Sequence, residues 1–104
     1  MNNPNKETLL KVKNLIANRE NWVQGTFAKD KYNFSCPPWS TNACKFCLLG
    51  ALEYVNSPVT TYEHLNKLLD EHTLPPWMAD LAGFNDTHSH DDVMAFLDKA
   101  IECA

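Results

Sequence analysis

Pro37 and Pro38 divide this chain. Neither has a backbone N–H, and a proline biases the residue before it toward extended forms. Cys36-Pro37-Pro38-Trp39 therefore cannot lie inside a helix. The pattern recurs as Leu74-Pro75-Pro76-Trp77, and the most apolar run of the protein lies between the two breaks. Ser40, Thr41 and Asn42 are good N-caps, so the spacing predicts a helix over 42–55. Its apolar positions are Phe46, Cys47, Leu48, Leu49, Ala51, Leu52, Tyr54 and Val55. They cover nearly the whole circumference, as a central buried helix requires. Gly50 sits in its middle at a cost of about 1 kcal/mol against alanine, which a close helix crossing would explain.

Helical stripes flank this segment. Leu9, Val12, Leu15 and Ile16 share one face of a helix over 6–18. Thr60-x-x-Glu63 reads as a capping box for a helix over 60–72, with Tyr62, Leu65, Leu68 and Leu69 as its stripe. Ser89-x-x-Asp92 reads as a second box, ahead of Val93, Phe96, Leu97, Ala100 and Ile101 in a helix over 89–102. A short helical turn is expected near 76–82, then a loop from Gly83 to His88. Between Thr26 and Ser35, Phe27, Tyr32 and Phe34 alternate with polar residues. That segment is either a short hairpin turning at Lys29–Lys31 or an irregular loop anchored by its aromatics. The expected fold is mostly α: one helical domain over residues 1–104, a bundle of about four helices, with a hairpin near 26–35 as an optional addition. The expected core is Leu9, Val12, Ile16, Trp22, Phe46, Cys47, Leu49, Leu52, Leu65, Leu68, Leu69, Phe84, Val93, Phe96, Leu97 and Ile101.

A chain of 104 residues fits one domain and can bury a core without metals or disulfides. No run approaches the roughly 18 apolar residues of a membrane span, so no membrane partner is expected. The N-terminus carries no apolar signal core, which points to the cytoplasm. There, four cysteines are free thiols or metal ligands rather than disulfides. Residues 1–50 hold seven Lys/Arg against three Asp/Glu, and residues 51–104 hold two against ten. No basic run is interleaved with aromatics, and the acidic half would repel a phosphate backbone, so nucleic acid is not an expected partner. The acidic half is a solvated surface in the leading reading, or else a face that docks a basic protein or mimics nucleic acid.

Four constellations carry chemistry. Cys36, Cys44-x-x-Cys47 and His88 or His90 are the donors for a zinc site, although no cofactor is required by the composition. The plain reading is that Cys47 is a small buried hydrophobe. Gln24, then Cys44 or Cys47 near a helix start, then His88 or His90, follow the order of oxyanion donor, nucleophile and base in a cysteine hydrolase. Against this, the chain is short and Cys47 falls a turn inside an apolar helix. Asn85-Asp86 with His88 and His90 forms a polar loop that binds a ligand, serves acid–base chemistry or, in the leading reading, shapes its own backbone. His64 and His72 are expected in solvent. Trp39 and Trp77 each follow Pro-Pro and are either interface hot spots or lids over the core. The binding candidates are thus Gln24, Trp39, Trp77, Asn85, Asp86 and His88.

Three motifs stand in fixed order: W-x-Q-G (Trp22, Gln24, Gly25), C-x-x-G-A-L (Cys47, Gly50, Ala51, Leu52) and F-N-D (Phe84, Asn85, Asp86), the last followed by Ser89 to Ile101. Together they resemble an uncharacterised family of small helical bacterial and phage proteins, a domain of unknown function. The resemblance covers residues 8–102 and implies a single helical domain and a prokaryotic or phage source, with no activity attached. Cys47 matches its pattern, whereas Cys36, Cys44 and Cys103 do not. The leading expectation is a small non-enzymatic protein-interaction module, directed at a host protein in the host cytoplasm if phage-encoded. A zinc-stabilised helical binding domain and a small cysteine hydrolase are the alternatives.

Overall fold

A computed structural model describes residues 4–70 and 81–104. In chain order these form α1 (Pro4–Ile16), a 3-10 turn (Arg19–Asn21), β1 (Ala28–Lys29), β2 (Ser35–Cys36) and β3 (Lys45–Phe46). Then come α2 (Leu48–Tyr54), α3 (Val59–Asp70), α4 (Leu81–Thr87) and α5 (His90–Glu102). The fold is mostly α, with one small antiparallel sheet in the order β2-β1-β3. Trp77 and the expected turn near 76–82 fall largely outside the described residues, as does His72.

The helical stripes become the core. Leu9, Val12 and Ile16 of α1 are buried, and α1 packs against α2, α3 and α5. Ser89 caps α5: its hydroxyl accepts from Asp92 N, and the Asp92 carboxylate accepts from Ser89 N. This is the expected box, and Val93, Phe96, Leu97 and Ala100 follow it into the core. An ion pair between Lys13 and Asp98 ties α1 to α5 at the surface. Ala28, Leu48, Ala51 and Leu81 are buried too, although the stripes did not single them out, and Trp22, Leu49 and Ile101 are only half-buried.

The optional hairpin is present, with Ala28 opposite Cys36 and Lys29 opposite Ser35. Its loop spans 30–34, because Asp30 Oδ1 accepts from the backbone N–H of Tyr32 and Phe34. Asn33 supplies the left-handed residue that the loop needs, at φ 69°. A third strand joins it, with Ala28 opposite Phe46 and Lys29 opposite Lys45.

Four readings need correction. The central helix starts at Leu48 rather than 42, because Lys45 and Phe46 pair with β1 and Cys47 is its N-cap. Thr60 does not cap α3: the helix begins at Val59, and the Thr60 hydroxyl donates to Asn5 Oδ1. The segment from Gly83 to Thr87 is helical rather than loop. His64 is half-buried, its Nε2 at 2.9 Å from Ala100 O, and is not a solvated side chain.

Candidate functional site

The three motifs meet in space, and Asn85 is where they meet. It is fully buried in the last turns of α4. The Trp22 indole Nε1–H donates to Asn85 Oδ1 at 2.6 Å, and Leu48 N donates to the same oxygen at 3.0 Å. Asn85 Nδ2 donates to Val23 O at 3.0 Å and to Asp86 Oδ1 at 3.1 Å. One amide thus joins the segment after α1, the start of α2 and the end of α4. The amide suits the task because it offers donors and an acceptor on one planar group.

The neighbours complete the knot. Gln24 Nε2 donates to Asn85 O at 3.0 Å and to His88 O at 2.8 Å, occupying carbonyls that the end of α4 leaves without a helical partner. Gly25 N donates to Asp86 Oδ1 at 2.9 Å, and Gly25 takes a left-handed φ of 80°. The His88 ring stacks on Phe84 with centroids 4.2 Å apart, and its Nδ1 lies 2.9 Å from Phe84 O. His90 is buried, with Nε2 at 2.7 Å from Ile16 O and its ring against Trp22. Among the described residues, no buried side-chain nitrogen or oxygen lacks a hydrogen-bond partner.

Cys47 lies at the edge of this knot as the N-cap of α2. Its sulfur accepts from Gly50 N at 3.2 Å, and its own N–H donates to Phe27 O at 3.1 Å. The thiol is buried, and burial pushes its pKa up, against the lowering effect of the backbone N–H groups around it. A small cleft of about 130 Å³ opens beside it, lined among the described residues by Gly25, Thr26, Phe27, Cys47, Ala82 and Asp86. Gln24, the expected oxyanion donor, instead spends its amide on backbone carbonyls. Iodoacetamide on native protein should label the exposed Cys44 and Cys103 within minutes and Cys47 only after unfolding, as read by peptide mass spectrometry. A reactive Cys47 would be labelled first.

The zinc donors are spread out. Cys36 is half-buried on β2, and its thiol pKa is raised by burial first, then by Asp30 and Cys44. Cys44 is exposed just before β3, while Cys47, His88 and His90 hold the contacts given above. Among the described residues, no three His, Cys, Asp or Glu side chains gather closely enough to hold a metal ion. Gln24, Asn85, Asp86 and His88 are brought together by their hydrogen bonds, whereas Trp39 lines a separate groove.

Trp39 is 77% exposed and so is no lid over the core. With Phe27, 49% exposed, and with Pro38, Leu49 and Glu53, it lines a groove of about 330 Å³. Phe27 precedes β1, Pro38 and Trp39 belong to the β2–β3 loop, and Leu49 and Glu53 lie four residues apart on α2. The Tyr62 hydroxyl donates to Glu53 Oε1 at 3.0 Å. Its phenol pKa is pushed up to about 12, by burial first and by this carboxylate second. Phe27 and Leu49 were expected only as a loop anchor and a core residue, and Glu53 was not among the binding candidates. The helix was apolar all round, so no exposed face stood out; the only signal was the four-residue spacing of Leu49 and Glu53.

A family model described as a family of unknown function, DUF6197, matches residues 1–102. No curated protein and no solved structure matches the chain. Among the described residues, no helix is long and apolar enough to cross a membrane.

Proposed function

We propose that this chain, which belongs to the DUF6197 family of unknown function, is a small non-enzymatic interaction module that docks a partner protein in the groove between Trp39 and Leu49. One observation carries the reading: a tryptophan 77% in solvent stands beside a half-exposed phenylalanine on a groove with a buried proline. Leaving such area in water has no benefit to folding, whereas aromatic anchors on a fixed backbone are what interface hot spots require. The backbone here is fixed. The Phe27 carbonyl accepts from Cys47 N, and turns Pro37–Ser40 and Ser40–Ala43 close the loop that carries Trp39. The knot around Asn85 supports the same reading, because its polar groups are spent on one another and on the backbone. A phage source and a host target belong to this proposal.

The test is capture from a prokaryotic host lysate with the wild-type chain and Trp39→Ala. The wild type should recover a stoichiometric partner. Trp39→Ala should lose it, since removing a central aromatic anchor costs about 2 kcal/mol or more of binding. Its folding stability should stay within about 0.5 kcal/mol, as for other exposed positions. Equal capture by both proteins, or by neither, would remove the groove from the account.

A further inference from the structure

The groove carries a single charge among its described lining residues. Phe27, Pro38, Trp39 and Leu49 are apolar, and Glu53 is a carboxylate. The Tyr62 hydroxyl holds one oxygen of that carboxylate from α3. Among the described residues no lysine or arginine pairs with it; the ion pairs there are Lys13 with Asp98 and Arg19 with Asp91. A partner that closed over the groove with a purely apolar side chain would strip water from Glu53 and return nothing for it. An acidic side chain would be repelled. A long cationic side chain satisfies every wall at once.

We propose that the groove receives a lysine or arginine side chain of the partner protein, its aliphatic stem along Pro38 and Leu49 and its charged head between the Trp39 ring and the Glu53 carboxylate. Trp is the best of the aromatic faces for a cation, and a carboxylate already oriented by Tyr62 loses little freedom on meeting it. The stem matters as much as the charge, since lysine and arginine cover apolar surface with their methylenes. This inference rests on the docking role proposed for the groove, and adds which side chain fills it.

The test is an NMR titration of the ¹⁵N-labelled full chain with capped five-residue peptides that carry arginine, lysine, norleucine or glutamate at the centre. Arginine and lysine peptides should shift the Trp39 indole and the amides of Phe27, Leu49 and Glu53. The norleucine peptide should bind about fivefold more weakly, and the glutamate peptide more weakly still. Glu53→Gln keeps the shape and an acceptor for Tyr62, and should narrow the gap between the arginine and norleucine peptides to the small preference that the Trp39 face alone gives a cation. Added salt should weaken the cationic peptides alone. Norleucine binding as tightly as arginine in the wild type would overturn the cation assignment and leave apolar docking in place. Peptide shifts centred away from Trp39 would overturn it too, and Trp39-dependent capture of a lysate partner would then still stand. The loss of both would remove the docking role itself.

Discussion

Asn85→Ala will lose about 3–5 kcal/mol of folding stability, a large part of the total for a domain this size. The substitution removes little volume but strands several buried groups. The Trp22 indole N–H and the Leu48 N–H lose their acceptor, and Val23 O loses its donor. Each buried group left unmade costs about 1–3 kcal/mol, and they are coupled through one amide, so the sum falls short of three independent losses. Urea denaturation followed by circular dichroism reads the change. Asn85→Asp gives a second view. It keeps the acceptor but turns an oxygen toward Val23 O and sits next to Asp86. Its deficit should shrink as pH falls, because the protonated carboxyl regains a donor for that carbonyl. A loss under about 1 kcal/mol for Asn85→Ala would mean that the knot contributes little.

Gly50→Ala should destabilise by about 2–3 kcal/mol, although helix propensity alone would favour alanine by about 1 kcal/mol. A Cβ at Gly50 would stand 1.9 Å from Phe27 O and 2.8 Å from Phe27 C. Both are backbone atoms, and the carbonyl is already held by Cys47 N at 3.1 Å. To admit the methyl, the chain before β1 must lift from α2 and that hydrogen bond must break. The close approach comes from the bend that leads into β1, not from the helix crossing that the mid-helix position suggested. The same shift would move Phe27 and so deform the groove. If the clash is relieved cheaply, the propensity gain wins and the variant is more stable than wild type; thermal or urea melts distinguish the two signs.

What the sequence disclosed follows from how far each signal reaches along the chain. The stripes of α1, α3 and α5 are local, and most of their apolar residues went to the core as spaced, with Leu15, Tyr62 and Ile101 half-buried at its edge. Ser89 and Asp92 are three residues apart, and their capping box formed. The misplaced boundaries all involve distant partners. Ser40 to Asn42 looked like caps, yet Lys45 and Phe46 are drawn into a strand by Ala28 and Lys29, a pairing no window near residue 45 contains. Gly83, Asn85 and Asp86 are weak helix formers, so a loop was the local reading. They are helical here because Asn85 finds its hydrogen bonds at Trp22, Val23 and Leu48, more than 35 residues away. The ordered motifs were legible as motifs. That they form one contact needed the fold. Trp39 was visible as a candidate, but its neighbours come from β1's approach and from α2, so the groove was not.

Two tryptophans separate the structural role from the docking role, and hydrogen exchange of their indole N–H groups reads both at once. In one ¹⁵N spectrum, the Trp22 N–H, held by Asn85 at 2.6 Å, should exchange only through global opening, with the slowest core amides. The Trp39 N–H, on a side chain 77% exposed, should exchange as fast as in an unfolded peptide. A Trp22 indole that exchanges as freely as Trp39 would contradict the knot around Asn85, and a Trp39 indole protected like Trp22 would contradict the open groove.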